Sequence, residues 1–264
     1  MHSFANSLRF SAALLGTNVR ATLALRGAFL LLAVFMLLNN LAFFSMWLIF
    51  FERFDNVRGW MLGDVAVVFG VCACGFGLGH ILFGGAPDIS RMVVGGELDI
   101  MLIQPKSVLL QTVGSRSSAS AWGDLVTGVA FVALAGKLDG SGAPAFLLAT
   151  VASALGFIAV RVIYHSAAFW LGRVETLASM LSEFTLTFSL YPRPIFAGGV
   201  RVLLFTAIPA GLVGWFPVDA VREPGLGTLA LACGGAAGLV ALAVLVFNAG
   251  LRRYESGSRF GTQG

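Results

Sequence analysis

The sequence predicts an all-α, polytopic membrane protein with six transmembrane helices, organised as one domain over residues 1–264. The mean hydropathy is +0.88, far above that of water-soluble domains. Apolar residues make up 58% of the chain and charged residues only 11%. The apolar residues also collect into stretches of the roughly 20 residues that a helix needs to cross a bilayer. Short polar segments separate these stretches, so a separate soluble domain is not expected.

The first 27 residues predict an amphipathic helix lying on the membrane surface. Four apolar residues recur at helical spacing on one stripe: Phe4, Leu8, Leu15 and Val19. The polar and basic residues lie off that stripe: Asn6, Arg9, Asn18 and Arg20. A helix with one apolar and one polar face binds at the boundary between headgroups and acyl chains. We therefore expect residues 1–27 to form an interface helix before the first span.

A six-span bundle is predicted over residues 28–250. Its spans cover residues 28–51, 60–83, 108–135, 145–171, 195–216 and 226–250. A cytoplasmic loop at residues 84–107 and a cytoplasmic tail at residues 251–264 complete the chain. Residues 174–190 combine an apolar stripe with two glutamates, and we interpret them as an interfacial or broken helix instead of a full span.

The distribution of basic residues predicts that both termini are cytoplasmic. In that orientation the inner side carries Arg9, Arg20, Arg26, Arg91, Lys106, Arg116, Arg173, Arg193, Arg201, Arg252, Arg253 and Arg259. The outer side carries only Arg53, Arg58, Lys137 and Arg222. Short loops rich in lysine and arginine stay in the cytoplasm. The loop at residues 84–107 is therefore expected to be cytoplasmic.

Within that loop, the stretch GGELDIMLIQP at residues 95–105 predicts a short helix with an apolar face. Two glycines end the preceding helix, and two carboxylates, Glu97 and Asp99, fall near the positive N-terminus of the next one. Three apolar side chains share one face at i, i+3 and i+4: Leu98, Met101 and Leu102. Pro105 ends the helix. Either this turn docks onto a partner protein, or it is an ordinary capped turn at the interface.

Among the polar residues inside predicted spans, three are candidates for a translocation path or for structural roles: Asp124, Arg161 and His165. Charges at membrane depth are costly and often functional. Arg161 stands about ten residues from the cytoplasmic end of its span, so its long side chain can reach toward water. We expect Asp124 on the neighbouring span to be its partner. Arg161 is then either a structural arginine, snorkelling or paired, or part of a translocation surface; both remain open.

Sequence motifs for catalysis are missing. The Gly-Lys pair at residues 136–137 lacks the remainder of a phosphate-binding loop. No histidine is spaced with a second ligand in a metal-binding pattern, and no nucleophile elbow is present. We expect a non-enzymatic chain that binds no cofactor, metal or nucleic acid, so uphill transport would draw its energy from another subunit or an ion gradient.

Three motifs in order resemble the bacterial ABC-2-like permeases, a family of six-span exporter subunits. The first is the loop motif, matched at Gly96, Glu97, Leu98, Asp99 and Pro105. The second surrounds the predicted fifth span, matched at Tyr191, Pro192, Pro209 and Pro217. The third follows the last span, matched at Tyr254, Glu255 and Ser256. The resemblance covers essentially the whole chain.

The resemblance implies a membrane-spanning permease of an ATP-driven exporter in the bacterial inner membrane. Its short cytoplasmic coupling helix would dock onto a separate ATP-binding cassette ATPase, which binds ATP and Mg. The docking residues would be Glu97, Leu98, Asp99, Met101, Leu102 and Pro105. The resemblance further implies a second permease, with a heterodimer favoured over a homodimer. A gradient-driven secondary carrier and a non-transporting membrane scaffold are the alternatives.

Overall fold

The computed structural model describes residues 2–140 and 142–254, and in these two ranges the chain is helical, without β-strands. The α-helices are α1 His2–Ala24, α2 Arg26–Phe51, α3 Leu62–Phe83, α4 Ile89–Gly95, α5 Asp99–Leu102, α6 Val108–Val113, α7 Ala121–Leu134, α8 Gly142–Ser166, α9 Ala168–Leu171, α10 Glu175–Ser189, α11 Gly198–Leu203, α12 Phe216–Arg222 and α13 Leu226–Leu251. Two 3-10 turns, Ala86–Asp88 and Arg193–Ile195, and a π-helix, Gly211–Trp215, complete the elements.

In the described part of the chain, four helical segments are long and apolar enough to cross a membrane. They are Arg26–Phe51, Leu62–Phe83, Gly142–Leu171 and Leu226–Leu251. Their positions agree with the first, second, fourth and sixth predicted spans. The remaining two predicted spans take different forms.

The predicted third span is wrong as a continuous helix, because α6 ends at Val113 and α7 begins only at Ala121. The polar residues between them bind the end of α3. The Ser118 N–H donates to the carbonyl of His80 at 3.1 Å, and Arg116 Nε donates to the carbonyl of Gly84 at 3.0 Å. The last carbonyls of a helix lack partners within it. Residues 114–120 therefore cap α3 and interrupt the predicted third span.

The predicted fifth span at residues 195–216 is also wrong, because this segment folds as a hairpin. A bend at residues 204–210, which contains Pro209, separates α11 from the π-helix that continues into α12. Proline lacks the N–H that a continuing helix would use. Arg193 Nη1 lies 3.0 Å from Asp219 Oδ2, so the two ends of the hairpin are side by side. A single crossing would hold them about 30 Å apart.

Helix α3 packs closely against α7 and α8 at glycines. A Cβ on Gly128 of α7 would lie 2.5 Å from Cys74 Sγ and 2.6 Å from the Gly70 carbonyl oxygen. A Cβ on Gly75 would lie 2.4 Å from Ser153 Oγ of α8. Helix α3 therefore approaches α7 and α8 more closely than larger side chains at these positions would allow. By contrast, Gly234 of α13 has no neighbouring atom within 4 Å of its Cβ position.

Helix α1 ends at Ala24, and a break at Leu25 separates it from α2. Asn18 Nδ2 donates to the carbonyl of Gly114 at 2.6 Å, which holds α1 against the loop before α7. A helix is thus present where the sequence predicted one. Its position on a membrane surface stays a prediction.

Replacing Gly128 with alanine should destabilise the bundle, because the new methyl group meets backbone atoms of α3 that cannot move independently. We expect a loss of about 1–3 kcal/mol, the range found for overpacked cores. Gly234→Ala is the matched control, since it adds the same methyl group in open space. Thermal unfolding in detergent, followed by circular dichroism, measures both. Equal midpoints for the two variants would contradict the close approach of α3 and α7.

Candidate functional site

The loop at residues 84–107 contains the predicted short helix. Helix α4 ends at Gly95, and Gly96 caps it in the left-handed conformation, with φ of 75°. An L-residue with a side chain adopts this conformation at a cost that glycine avoids. Helix α5 then begins at Asp99 and lasts one turn. The glycine stop and the carboxylate at the start of the new helix are both confirmed.

The apolar face of this turn differs from the predicted one. Leu98 is fully buried, and Met101 packs partly against the same core. The exposed apolar side chains are instead Ile100, Leu102 and Ile103, at 68%, 46% and 83% exposure. Leu102 is exposed as predicted, but Leu98 caps α5 and points inward, so it does not contribute to an exposed face. Ile100 and Ile103 were missed, although their i, i+3 spacing was visible in the sequence.

Ion pairs join parts of the loop to each other and to the segment between α6 and α7. Glu97 accepts a hydrogen bond from Arg91 Nη1. Asp88 Oδ2 lies 3.1 Å from Arg116 Nε and Asp88 Oδ1 3.9 Å from Arg91 Nε. Exposed pairs of this kind contribute little individually, but together they restrict the orientation of the loop. Pro105 is exposed at the far end of the loop.

Two of the family-like motifs meet at Asp99. The Tyr254 hydroxyl lies beside this carboxylate, and partial burial together with the neighbouring negative charge raises the pKa of Tyr254 to about 12. Tyr254 also packs edge-on against Phe169, with ring centroids 6.2 Å apart. The loop is therefore linked to the end of α13. Glu255 and Ser256, which the third motif includes, lie outside the described residues.

Arg161 has a different partner from the one predicted. Its side chain is 9% exposed, and Nη2 lies 3.1 Å from Oε1 of Glu183 on α10. The guanidinium also stands 5.3 Å from the ring centroid of Phe76. The predicted pairing with Asp124 is wrong, because α10 lies nearer to this face of α8 than the sequence suggested.

Asp124 and His165 occupy separate environments. Asp124 Oδ1 accepts a hydrogen bond from Asn40 Nδ2 at 2.8 Å and lines a cavity between α2, α3 and α10. His165 is fully buried, and its Nδ1 lies 2.9 Å from Ser90 Oγ, joining α8 to α4. The three polar residues predicted inside spans therefore do not form a single site.

Helix α10 runs from one end of the bundle to the other. Glu175 at its start lines a cleft with Ser90 and Arg91 of α4. Just beyond its last residue, the ring of Tyr191 lies 6.0 Å from that of Trp47, near the end of α2. Glu175 and Tyr191 therefore contact different parts of the bundle, and the interpretation of residues 174–190 as an interfacial or broken helix stays a prediction.

Basic residues are paired with carboxylates at the end where α3 begins. Arg222 Nε lies 2.8 Å from Asp64 Oδ1, and its guanidinium stacks 3.8 Å from the ring centroid of Trp60. Arg193 and Asp219 pair beside it. These contacts gather the start of α3 and both ends of the hairpin in one place. Within residues 2–140 and 142–254, no group of three His, Cys, Asp or Glu side chains could hold a metal ion.

Long apolar helices that pack around α3 define a multi-pass membrane protein. A family model described as an ABC-2 family transporter protein matches residues 27–258. Because the match covers most of the chain, this protein belongs to that family of transporter membrane proteins, and the resemblance is confirmed. No curated protein and no solved structure matches the chain. Membership implies that the chain is a membrane subunit that works with an ATP-binding cassette ATPase.

The Arg161–Glu183 contact should appear as an energetic coupling. We expect the sum of the stability losses of Arg161→Ala and Glu183→Ala to exceed the loss of the double variant by about 1 kcal/mol. Either truncation alone already removes the pair. The matched cycle of Arg161→Ala with Asp124→Ala should be additive within about 0.5 kcal/mol. Both cycles are measured by unfolding in detergent. Coupling in the second cycle and additivity in the first would contradict the pairing described above.

Proposed function

We propose that this chain is the permease subunit of an ATP-binding cassette exporter in the bacterial inner membrane. The observation that carries the proposal is the exposed apolar surface of the loop at residues 84–107, in a chain that belongs to a transporter family. ATP and Mg would bind to the partner ATPase and not to this chain. Hydrolysis there would move the loop and switch the permeases between inward and outward states.

The docking surface consists of Ile100, Leu102 and Ile103. Three adjacent, exposed aliphatic side chains on a short loop are suited to insertion into a groove of another protein. Glu97 and Arg91, each close to half exposed, form a charged rim beside them. Leu98 and Met101 support the surface from inside. The coupling role predicted from sequence therefore stays with this loop, but its contact residues change.

We further propose six crossings, made by α2, α3, α6 with α7, α8 with α9, α10 and α13. The hairpin at residues 193–222 would enter and leave the membrane on the outer side. The contact between Arg193 and Asp219 supports this order, because residues on opposite sides of a membrane could not pair. Moving Arg193 and Arg201 to the outer side still leaves an excess of basic residues inside, so both termini remain cytoplasmic in this proposal.

A second permease would complete the transport unit, and the family resemblance favours a heterodimer. Two surfaces of this chain are available to it. Within helix α2, only Phe44 and Trp47 are buried. On α13, the small residues Ala230, Gly234 and Gly238 face away from the rest of the chain, and such positions allow close helix approach in lipid.

Truncating the docking surface should release the ATPase. Ile100→Ala with Ile103→Ala should weaken docking roughly thirtyfold or more, since losing an interface anchor commonly costs about 2 kcal/mol. Leu25→Ala is the control, because Leu25 is a comparably exposed aliphatic residue, at 72%, outside the loop. Detergent pull-down of the co-expressed ATPase and substrate-stimulated ATP hydrolysis measure the effect. Normal retention of the ATPase by the double variant would refute this docking surface.

The proposed topology places Ile195 on the outer side, whereas a fifth span starting there would place it inside. In a Cys233→Ala background, Ile195→Cys should react with a membrane-impermeant maleimide on intact cells, because its side chain is 42% exposed. Asn56→Cys should behave in the same way, and Ser107→Cys should react only after permeabilisation. Labelling of Ile195→Cys that requires permeabilisation would restore the original fifth span.

A further inference from the structure

A cavity of about 330 Å³ lies between α2, α3 and α10, and one residue of α7, Asp124, also lines it. Its volume is at the low end of the range of small-molecule pockets. Most of the wall is apolar, and five rings contribute to it: Phe43, Trp47, Phe69, Phe76 and Tyr191. Such a wall accommodates an apolar or aromatic body. The polar groups in the cavity decide what kind of molecule fits.

Asp124 is the polar group that lacks a partner. Asp124 is only 5% exposed. Its Oδ1 accepts a hydrogen bond from Asn40 Nδ2 at 2.8 Å. The second oxygen, Oδ2, is buried and has no hydrogen-bond partner among the described residues. Leaving a buried carboxylate oxygen unpaired is costly. A cation in the cavity would offset the charge of this carboxylate.

The chain's own cations do not fill this position. The nearest buried guanidinium, Arg161, lies against Glu183 on the α10 side of the cavity. None of the ion pairs in the described ranges includes Asp124. Glu183 lines the cavity as well, so both of its charged lining residues are carboxylates. The cavity therefore selects against anions.

We propose that this cavity binds hydrophobic organic ammonium ions, with Asp124 as the counter-ion and the aromatic wall around the apolar body. The ammonium would pair with the Asp124 carboxylate from inside the cavity, and the rings would stabilise its charge through their faces. The proposal rests on the exporter function above, to which it adds a substrate class.

The test compares two probes that share a ring system and differ in charge. Equilibrium dialysis against the full-length chain in phosphatidylcholine nanodiscs measures binding of 1-naphthylmethylamine and of the uncharged 1-naphthylmethanol, with empty discs subtracted. We expect the amine to bind at least about tenfold more tightly than the alcohol, because hydrogen bonds to charged groups contribute about 1.5–3 kcal/mol. Equal affinity in the wild-type chain overturns the proposal without any variant.

Asp124→Asn tests the counter-ion directly, since the amide keeps the shape and can still accept from Asn40. It should weaken amine binding at least about tenfold and change alcohol binding by less than about threefold. Asp139→Asn, which removes an exposed carboxylate from the turn between α7 and α8, should match the wild type. An unchanged preference for the amine in Asp124→Asn, or equal loss of both probes, overturns the assignment.

Two sources could supply an ammonium group on an apolar body: a lipid headgroup and a free amine. Discs prepared with phosphatidylethanolamine separate them. Weaker binding of the amine in these discs identifies the lipid ammonium as an occupant, and unchanged binding identifies non-lipid amines. Neither binding experiment contains the ATPase. A failure here therefore leaves the coupling proposal intact, and a failure of coupling leaves the cavity's preference measurable.

Discussion

Helix α3 can occupy the centre of this bundle because glycines lie where it crosses α7 and α8. Between helices in lipid there is little hydrophobic driving force, so close van der Waals contact has to hold them together. Gly128 of α7 and Gly75 of α3 provide that contact on two sides. With α3 fixed in this way, its first turn receives Arg222, its last carbonyls receive Arg116, and its ring-bearing face forms part of the cavity.

The buried charges follow from the same arrangement. Arg161 and Arg222 each approach a carboxylate on another element and the face of an aromatic ring. Pairing and cation–π contact both reduce the cost of holding a guanidinium away from water. Asp124 is the contrasting case, because an asparagine satisfies only one of its two oxygens. That difference separates structural charges from the one group in the cavity that a ligand could complete.

The loop at residues 84–107 combines a fixed interior with an exposed surface. Leu98 anchors its turn in the core, while Ile100 and Ile103 on the same turn face outward. The Asp99 carboxylate beside Tyr254 connects the turn to the end of α13. A partner that moved the exposed side chains would therefore act on a loop already tied to two long helices, which is what coupling between subunits requires.

The sequence by itself determined the helical membrane class, the four long apolar helices, the short helix after Gly96 and the family. These follow from composition, periodicity and motifs, which are local properties of the chain. Only the tertiary structure decided the interrupted third span, the hairpin around Pro209, the path of α10 and the inward orientation of Leu98. The first three depend on contacts between residues on different elements: Arg116 with Gly84, Arg193 with Asp219, and Arg161 with Glu183. Hydropathy measures how apolar a segment is. It does not show which distant group pairs with a charge or binds a carbonyl, and those pairings determine the path of the chain.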